Sequence, residues 1–173
     1  GTTPPFQWAA LDPANEIPYF KGQRALDDEA TIFVLPFPFP LYGQFFEQVL
    51  VSSNGVLVFG DGENPNGYGD LRSPYEPNGL VAPFWDDLVC ASYSQLFAAP
   101  LPPESPGVVL QFVSFTLWSE AAEANDYVDS PRLSFEVRLY TDGQIVVNVL
   151  EFPASVAGRS SLKVGIETTD GNF

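Results

Sequence analysis

The sequence contains no histidine, no methionine, one cysteine and only seven basic residues among 173. Without histidine, Ser-His-Asp and Cys-His nucleophile systems are excluded, together with the commonest ligands of catalytic zinc. Cys90 has no second cysteine for an intrachain disulfide, and its setting in Val89-Cys90-Ala91 predicts a buried, inert thiol. A reactive thiol would need a neighbouring cation to lower its pKa. The basic residues, Lys21, Arg24, Arg72, Arg132, Arg138, Arg159 and Lys163, are scattered along the chain. No basic stripe exists for a phosphate backbone to follow, so nucleic acid is not an expected partner. Apolar runs fall short of the roughly 18 residues a membrane-spanning helix needs, and no membrane insertion is expected. Gly60-Asp61-Gly62 precedes no helical pattern and no Gly-Lys-Ser/Thr occurs, which leaves nucleotide binding without support.

What is abundant is acid. Asp and Glu number 22, giving a formal charge of −15. Such a field disfavours anionic lipid and favours cations and basic surfaces. The bland reading is a solvated surface suited to salty or extracellular surroundings, and Asp27-Asp28-Glu29 is assigned to it. No pair of carboxylates is placed by the sequence at the roughly 5 to 9 Å across a cleft that glycosidases use, so an enzyme is not expected. Hydrophobic residues make up 45% of the chain. A single domain of this length buries about 70% of its unfolded surface, so a proper core forms without staples. No signal-peptide pattern heads the residues, which fits a processed secreted chain or a trimmed one.

Residues 1–30 are Pro-rich and polar, with Trp8, Tyr19 and Phe20 as isolated aromatics, and predict an extended strap laid over a sheet. From Thr31 short β-rich runs alternate with turn residues: 31–35, 47–52, 55–60, 80–84, 88–97, 107–118, 132–140, 144–152 and 161–168. The expected fold is all-β, a two-sheet antiparallel, jelly-roll-like sandwich of about nine short strands over residues 31–173, in one domain with the strap. Helix is limited to a turn near residues 119–124. The 17 prolines and 14 glycines fall mostly between the runs, where they suit turns.

In the clearest strand, Leu133, Phe135, Val137 and Leu139 alternate with Arg132, Ser134, Glu136 and Arg138, which predicts one buried and one wet face. Asp142-Gly143 then predicts a type I′ hairpin turn returning as Ile145 to Leu150. Strict two-residue registry would set Asn148 on the core face beside Val137, so either its amide is hydrogen-bonded or a bulge shifts the register. Asn54-Gly55 predicts a second tight hairpin turn, a structural role preferred over a partner-contacting loop. The run from Val108 to Trp118 is apolar at both alternations, as a central strand covered on both faces requires. In Pro36-Phe37-Pro38-Phe39-Pro40, Phe37 and Phe39 project to one side. Burial of both rings at a sheet edge is preferred over a proline-rich ligand, the prolines removing donors that invite edge pairing.

Three blocks in one order carry a resemblance: Leu35-Pro36-Phe37-Pro38-Phe39-Pro40-Leu41-Tyr42-Gly43, Val51-Ser52-Ser53-Asn54-Gly55, and Ala82-Pro83-Phe84-Trp85-Asp86-Asp87-Leu88. With the later Leu139-Tyr140-Thr141-Asp142-Gly143, they resemble the nidogen-like domains of extracellular matrix and bacterial surface proteins, over roughly residues 10–168. The absence of disulfide-rich neighbours makes the chain look more like the bacterial branch. The resemblance implies a secreted or cell-surface module with no catalytic residues and no cofactor. Its matched positions are structural: Pro38, Phe39, Tyr42, Gly43, Asn54, Gly55, Pro83, Phe84, Trp85, Asp86, Asp142 and Gly143.

Asp86 and Asp87 are the most suggestive chemical pair. Neighbours in a strand point oppositely, so capping of backbone N–H groups is the preferred role and calcium ligation the alternative. Residues 61–70, with Asp61 and Glu63, look at first like a calcium loop. They lack EF-hand spacing, because Pro65 and Asn66 stand at the fifth and sixth places and Arg72 at the twelfth, and are read as a flexible surface loop. The function expected is an adhesion or assembly module contacting a protein partner or its own copies. A carbohydrate-binding module using Trp8, Tyr68, Tyr75 or Trp118, or an accessory domain of a secreted hydrolase, is the alternative.

Overall fold

The computed structural model describes residues 8–10, 12–20, 26–60, 62–65, 67, 69–71, 73, 75, 77–119, 130–156 and 158–170. Among them, eleven strands form two antiparallel sheets packed as a sandwich. One sheet runs in the order β1 (Leu26–Asp27), β6 (Leu88–Cys90), β8 (Gly107–Leu117), β9 (Leu133–Tyr140) and β10 (Ile145–Glu151), with β7 (Gln95–Pro100) also paired to β8. The other runs β11 (Lys163–Ile166), β5 (Leu80–Trp85), β4 (Val56–Phe59), β3 (Gln44–Ser52) and β2 (Ala30–Leu41). No helix among the described residues is long and apolar enough to cross a membrane.

Aromatic rings join the layers. Phe112 stacks on Phe135 at 4.5 Å between centroids, and Phe135 in turn meets Phe84 of the opposite sheet at 5.7 Å. A second apolar cluster, with Val56, Val58, Leu80, Ala82, Trp85 and Leu71, lies apart from this core. All four residues of β4 are buried, as a strand covered on both faces demands. β8 behaves as its two apolar alternations predict, with nine of its eleven residues buried.

Proline chemistry explains the edge. The first predicted strand continues to Leu41 through Pro36, Pro38 and Pro40, and β2 is the terminal strand of its sheet. There the missing donors cost no ladder bond. Phe39 is fully buried and Phe37 packs against the core, while Pro36 and Pro38 are exposed. Both rings therefore turn inward as the alternation expects. The predicted run 88–97 divides into β6 and β7 around a turn at Ala91–Ser94, where β8 bulges and Ser114 takes a φ of 58°. β1 was not foreseen, since two residues carry no periodicity. Pro13–Asn15 form a 3-10 turn within the strap, capped by Asp12, whose carboxylate accepts from the Ala14 N–H.

Two turn assignments are corrected. At Asn54-Gly55 and Asp142-Gly143 only the glycines have positive φ, 71° and 89°. Ser52 pairs with Val56, and Leu139 with Ile145. The Tyr140 N–H also donates to the Gln144 carbonyl, so each hairpin has a three-residue loop, 53–55 or 141–143, that closes with a left-handed glycine rather than as a two-residue type I′ turn. The longer loop resolves Asn148: the register advances by one, Asn148 lies opposite Glu136, and its amide donates to the Glu136 carboxylate at 2.9 Å. The type I′ geometry appears instead at Tyr42-Gly43, with φ of 47° and 80°, between the paired Leu41 and Gln44.

The predicted wet face of β9 is also corrected. Ser134 and Glu136 are buried. Glu136 accepts from Gln111 Nε2 at 2.8 Å, Arg138 Nε at 2.7 Å and the Ala9 N–H at 3.3 Å. Polar residues here are withdrawn from solvent by one another and by the backbone beside Trp8.

Candidate functional site

The second and third motif blocks meet at Asn54. Its carboxamide is fully buried; Oδ1 accepts from the Leu88 N–H at 2.9 Å, and Nδ2 donates to the Pro65 carbonyl at 3.1 Å and to Asp28 Oδ1 at 2.8 Å. Beside it a Cβ on Gly55 would lie 2.1 Å from the Phe84 carbonyl oxygen, so only glycine permits this approach. Gly143 likewise faces Pro40, bringing the last motif block against the first.

Asp86 and Asp87 separate at the turn between β5 and β6. Asp86 is 0% exposed; Oδ1 accepts from the Asp87 N–H at 2.9 Å, and Oδ2 accepts from Arg159 Nε at 3.2 Å and Ser161 Oγ at 3.1 Å. It caps the turn and fastens the segment before β11, as the capping reading holds. Asp87 turns the other way. It meets Asp27 and Asp28, and one carboxylate oxygen from each of the three lies within 4.8 Å of the others.

Asp28 is held with a left-handed φ of 52°. Its Oδ1 accepts from the Gly67 N–H at 2.7 Å as well as from Asn54, and its carbonyl accepts from Asn64 Nδ2 at 2.6 Å. Burial raises the pKa of Asp27, with the charge of Asp28 adding to it and the Asp28 backbone N–H opposing. Burial also raises the pKa of Asp87, followed by the charges of Asp27, Asp28 and Asp86, while Arg159 opposes. Asp27 Oδ1 and Asn64 Oδ1 are shut off from solvent and accept no hydrogen bond. The donor set is all oxygen, the chemistry of hard divalent cations.

This assembly revises the reading of the acids. The solvated surface expected of Asp27-Asp28-Glu29 holds for Asp28, which is exposed, whereas Asp27 is half-buried, and both aspartates belong to the cluster. Asp87 belongs to the cluster and Asp86 does not. Glu63 is exposed and outside it, and Asp61 lies outside the described residues. Sequence spacing gave no sign of the pairing, because 60 residues separate Asp27 from Asp87. The one residue that pointed there was Asn54, read as a turn former. The loop after β4 is no free surface loop where described: Pro65 and Leu71 are buried, and a Cβ on Gly69 would strike Trp85.

Cys90 is buried, and burial, with the charge of Glu16 in support, pushes its pKa up to about 12. Of the aromatics considered for sugar stacking, Tyr75 and Trp118 are exposed, Trp8 is half-buried, and Tyr68 is outside the described residues. An open groove of about 700 Å³ runs past Pro38, Phe45, Phe46, Glu47, Gln48 and Gly60. Ile32, Val34 and Phe45 stand exposed at the β2–β3 end of their sheet, at 59%, 71% and 71%.

No curated protein and no solved structure matches the chain. The family described as NIDO related matches residues 7–173, nearly the whole sequence, and the chain belongs to that family.

Proposed function

We propose that this extracellular-type domain is a non-catalytic adhesion or assembly module, which associates through the β2 edge of its second sheet. The observation that carries the reading is the exposure of Ile32 and Val34 on a terminal strand. A strand edge with apolar residues invites pairing with another chain, and single exposed residues elsewhere do not. The prolines confine that invitation to the Ala30–Val34 end of β2, where the residues are proline-free. Family membership supports an extracellular setting, and the lack of histidine argues against the commonest hydrolytic chemistries.

Light scattering across micromolar to millimolar concentration tests this. Copies each carrying a formal charge of −15 repel at low salt, so association strengthens as salt screens them. Val34→Lys should abolish association while changing stability by less than about 0.5 kcal/mol, because the side chain is mostly exposed. A monomer under every condition, or association untouched by Val34→Lys, contradicts the β2 edge as the assembly surface.

A further inference from the structure

We infer that Asp27, Asp28 and Asp87 bind a calcium ion, with the Asn64 carboxamide oxygen as a neutral donor beside them. Three carboxylates within 4.8 Å of one another repel. Arg159 offsets this only in part and for Asp87, since its guanidinium is engaged by Asp86 and by Ser119 Oγ at 3.3 Å. Asp28 is steadied only by neutral donors, the Asn54 amide and the Gly67 N–H.

The second observation is independent of charge. Asp27 Oδ1 is buried yet accepts nothing, and so is Asn64 Oδ1, on a side chain whose nitrogen is tied to the Asp28 carbonyl. Buried acceptors without partners are rare in native proteins and call for an ion or a water. Here one of the two belongs to the acidic cluster and the other is on a side chain bonded to the Asp28 carbonyl, and calcium takes carboxylate and amide oxygens in a flexible shell. Magnesium fits less well, because it demands a near-ideal octahedron and gives up water reluctantly.

The ion would join three parts of the chain that are distant in sequence: the end of β1, the turn between β5 and β6, and the connection after β4. Affinity in the range of extracellular modules, a Kd of roughly 10⁻⁴–10⁻³ M, suits a single site of this charge. This inference does not depend on the adhesion reading. Calcium binding by a strict monomer would leave it intact.

The test is titration of chelator-stripped protein with calcium chloride by calorimetry, and with terbium by luminescence. Trp85 Nε1 donates to the Gly67 carbonyl at 3.0 Å, which places an indole antenna beside the residue that holds Asp28. The expected result is one saturable site, with terbium emission displaced by calcium. Asp27→Asn and Asp87→Asn should each weaken binding by roughly tenfold or more, and Glu63→Gln should leave it unchanged. In chelator both Asn variants should melt no lower than the parent, because each removes a repelling charge. No saturable signal at millimolar calcium, terbium emission that calcium does not displace, or binding untouched by both variants would overturn the site. So would melting of both variants below the parent in chelator, which would show that the carboxylates have protein partners of their own.

Discussion

Around Glu136 a carboxylate is buried and met on every side: Arg138, Gln111, Asn148 and the Ala9 N–H all donate to it. Around Asp87 two further carboxylates approach, and a buried oxygen of Asp27 receives nothing. Apart from Asp87, both clusters gather residues that look, in the sequence, like ordinary solvated polar groups. The first carries its own counter-charge and is complete as protein. The second has only Arg159, already paired with Asp86, to offset three carboxylates, which is the physical ground for assigning it a cation. Charge withdrawn from water is tolerated when paired and costly when not, so the first network fixes the strap to its sheet, while the second, with Asp27 and Asp87 half-buried and Asp28 exposed, holds repulsion that an ion would relieve.

Breaking the complete network should have the largest effect. Glu136→Ala leaves Arg138 and the Gln111 and Asn148 amides without their shared acceptor, and should cost about 3 kcal/mol in urea unfolding. A loss under about 1 kcal/mol would show that the network is replaceable by water. Asn54→Ala comes next. It strips the Leu88 N–H and the Pro65 carbonyl of their buried partner, for about 2 kcal/mol. It also frees Asp28, so calcium affinity should fall with stability, whereas Glu136→Ala should leave affinity unchanged in the folded protein. Equal effects of both on calcium would erase the distinction between the clusters.

The smallest effect concerns Cys90. With its pKa pushed up to about 12, the thiol stays protonated across the mildly alkaline range in which a free cysteine ionises. Alkylation of the native protein should therefore be negligible there and become rapid once the chain is unfolded in denaturant. Fast native labelling would mean that the end of β6, beside the acidic cluster, opens readily.

The sequence made the architecture legible wherever a period or a proline carried it. The double alternation in Val108 to Trp118 announced a central strand, and the prolines alternating with phenylalanines in β2 announced an edge. Register was less accessible. Asp-Gly and Asn-Gly fit both two-residue and longer hairpin loops, and the choice decided whether Asn148 faced the core or Glu136. Tyr42-Gly43, a less usual pair, took the type I′ geometry. The candidate site was legible only in part: Asp87 was singled out, but its partners Asp27 and Asp28 are brought to it by the pairing of Leu26 with Cys90 and Asp27 with Val89. Two-residue strands of that kind leave no pattern to read.

Scanning calorimetry of the wild-type protein, first in chelator and then in millimolar calcium, tests most directly whether the second cluster is incomplete without an ion. Binding to the folded state alone raises the melting temperature in proportion to the logarithm of free calcium above the Kd. The account predicts that rise, and its absence in Asp87→Asn. Coincident melting curves for the wild type with and without calcium would contradict it.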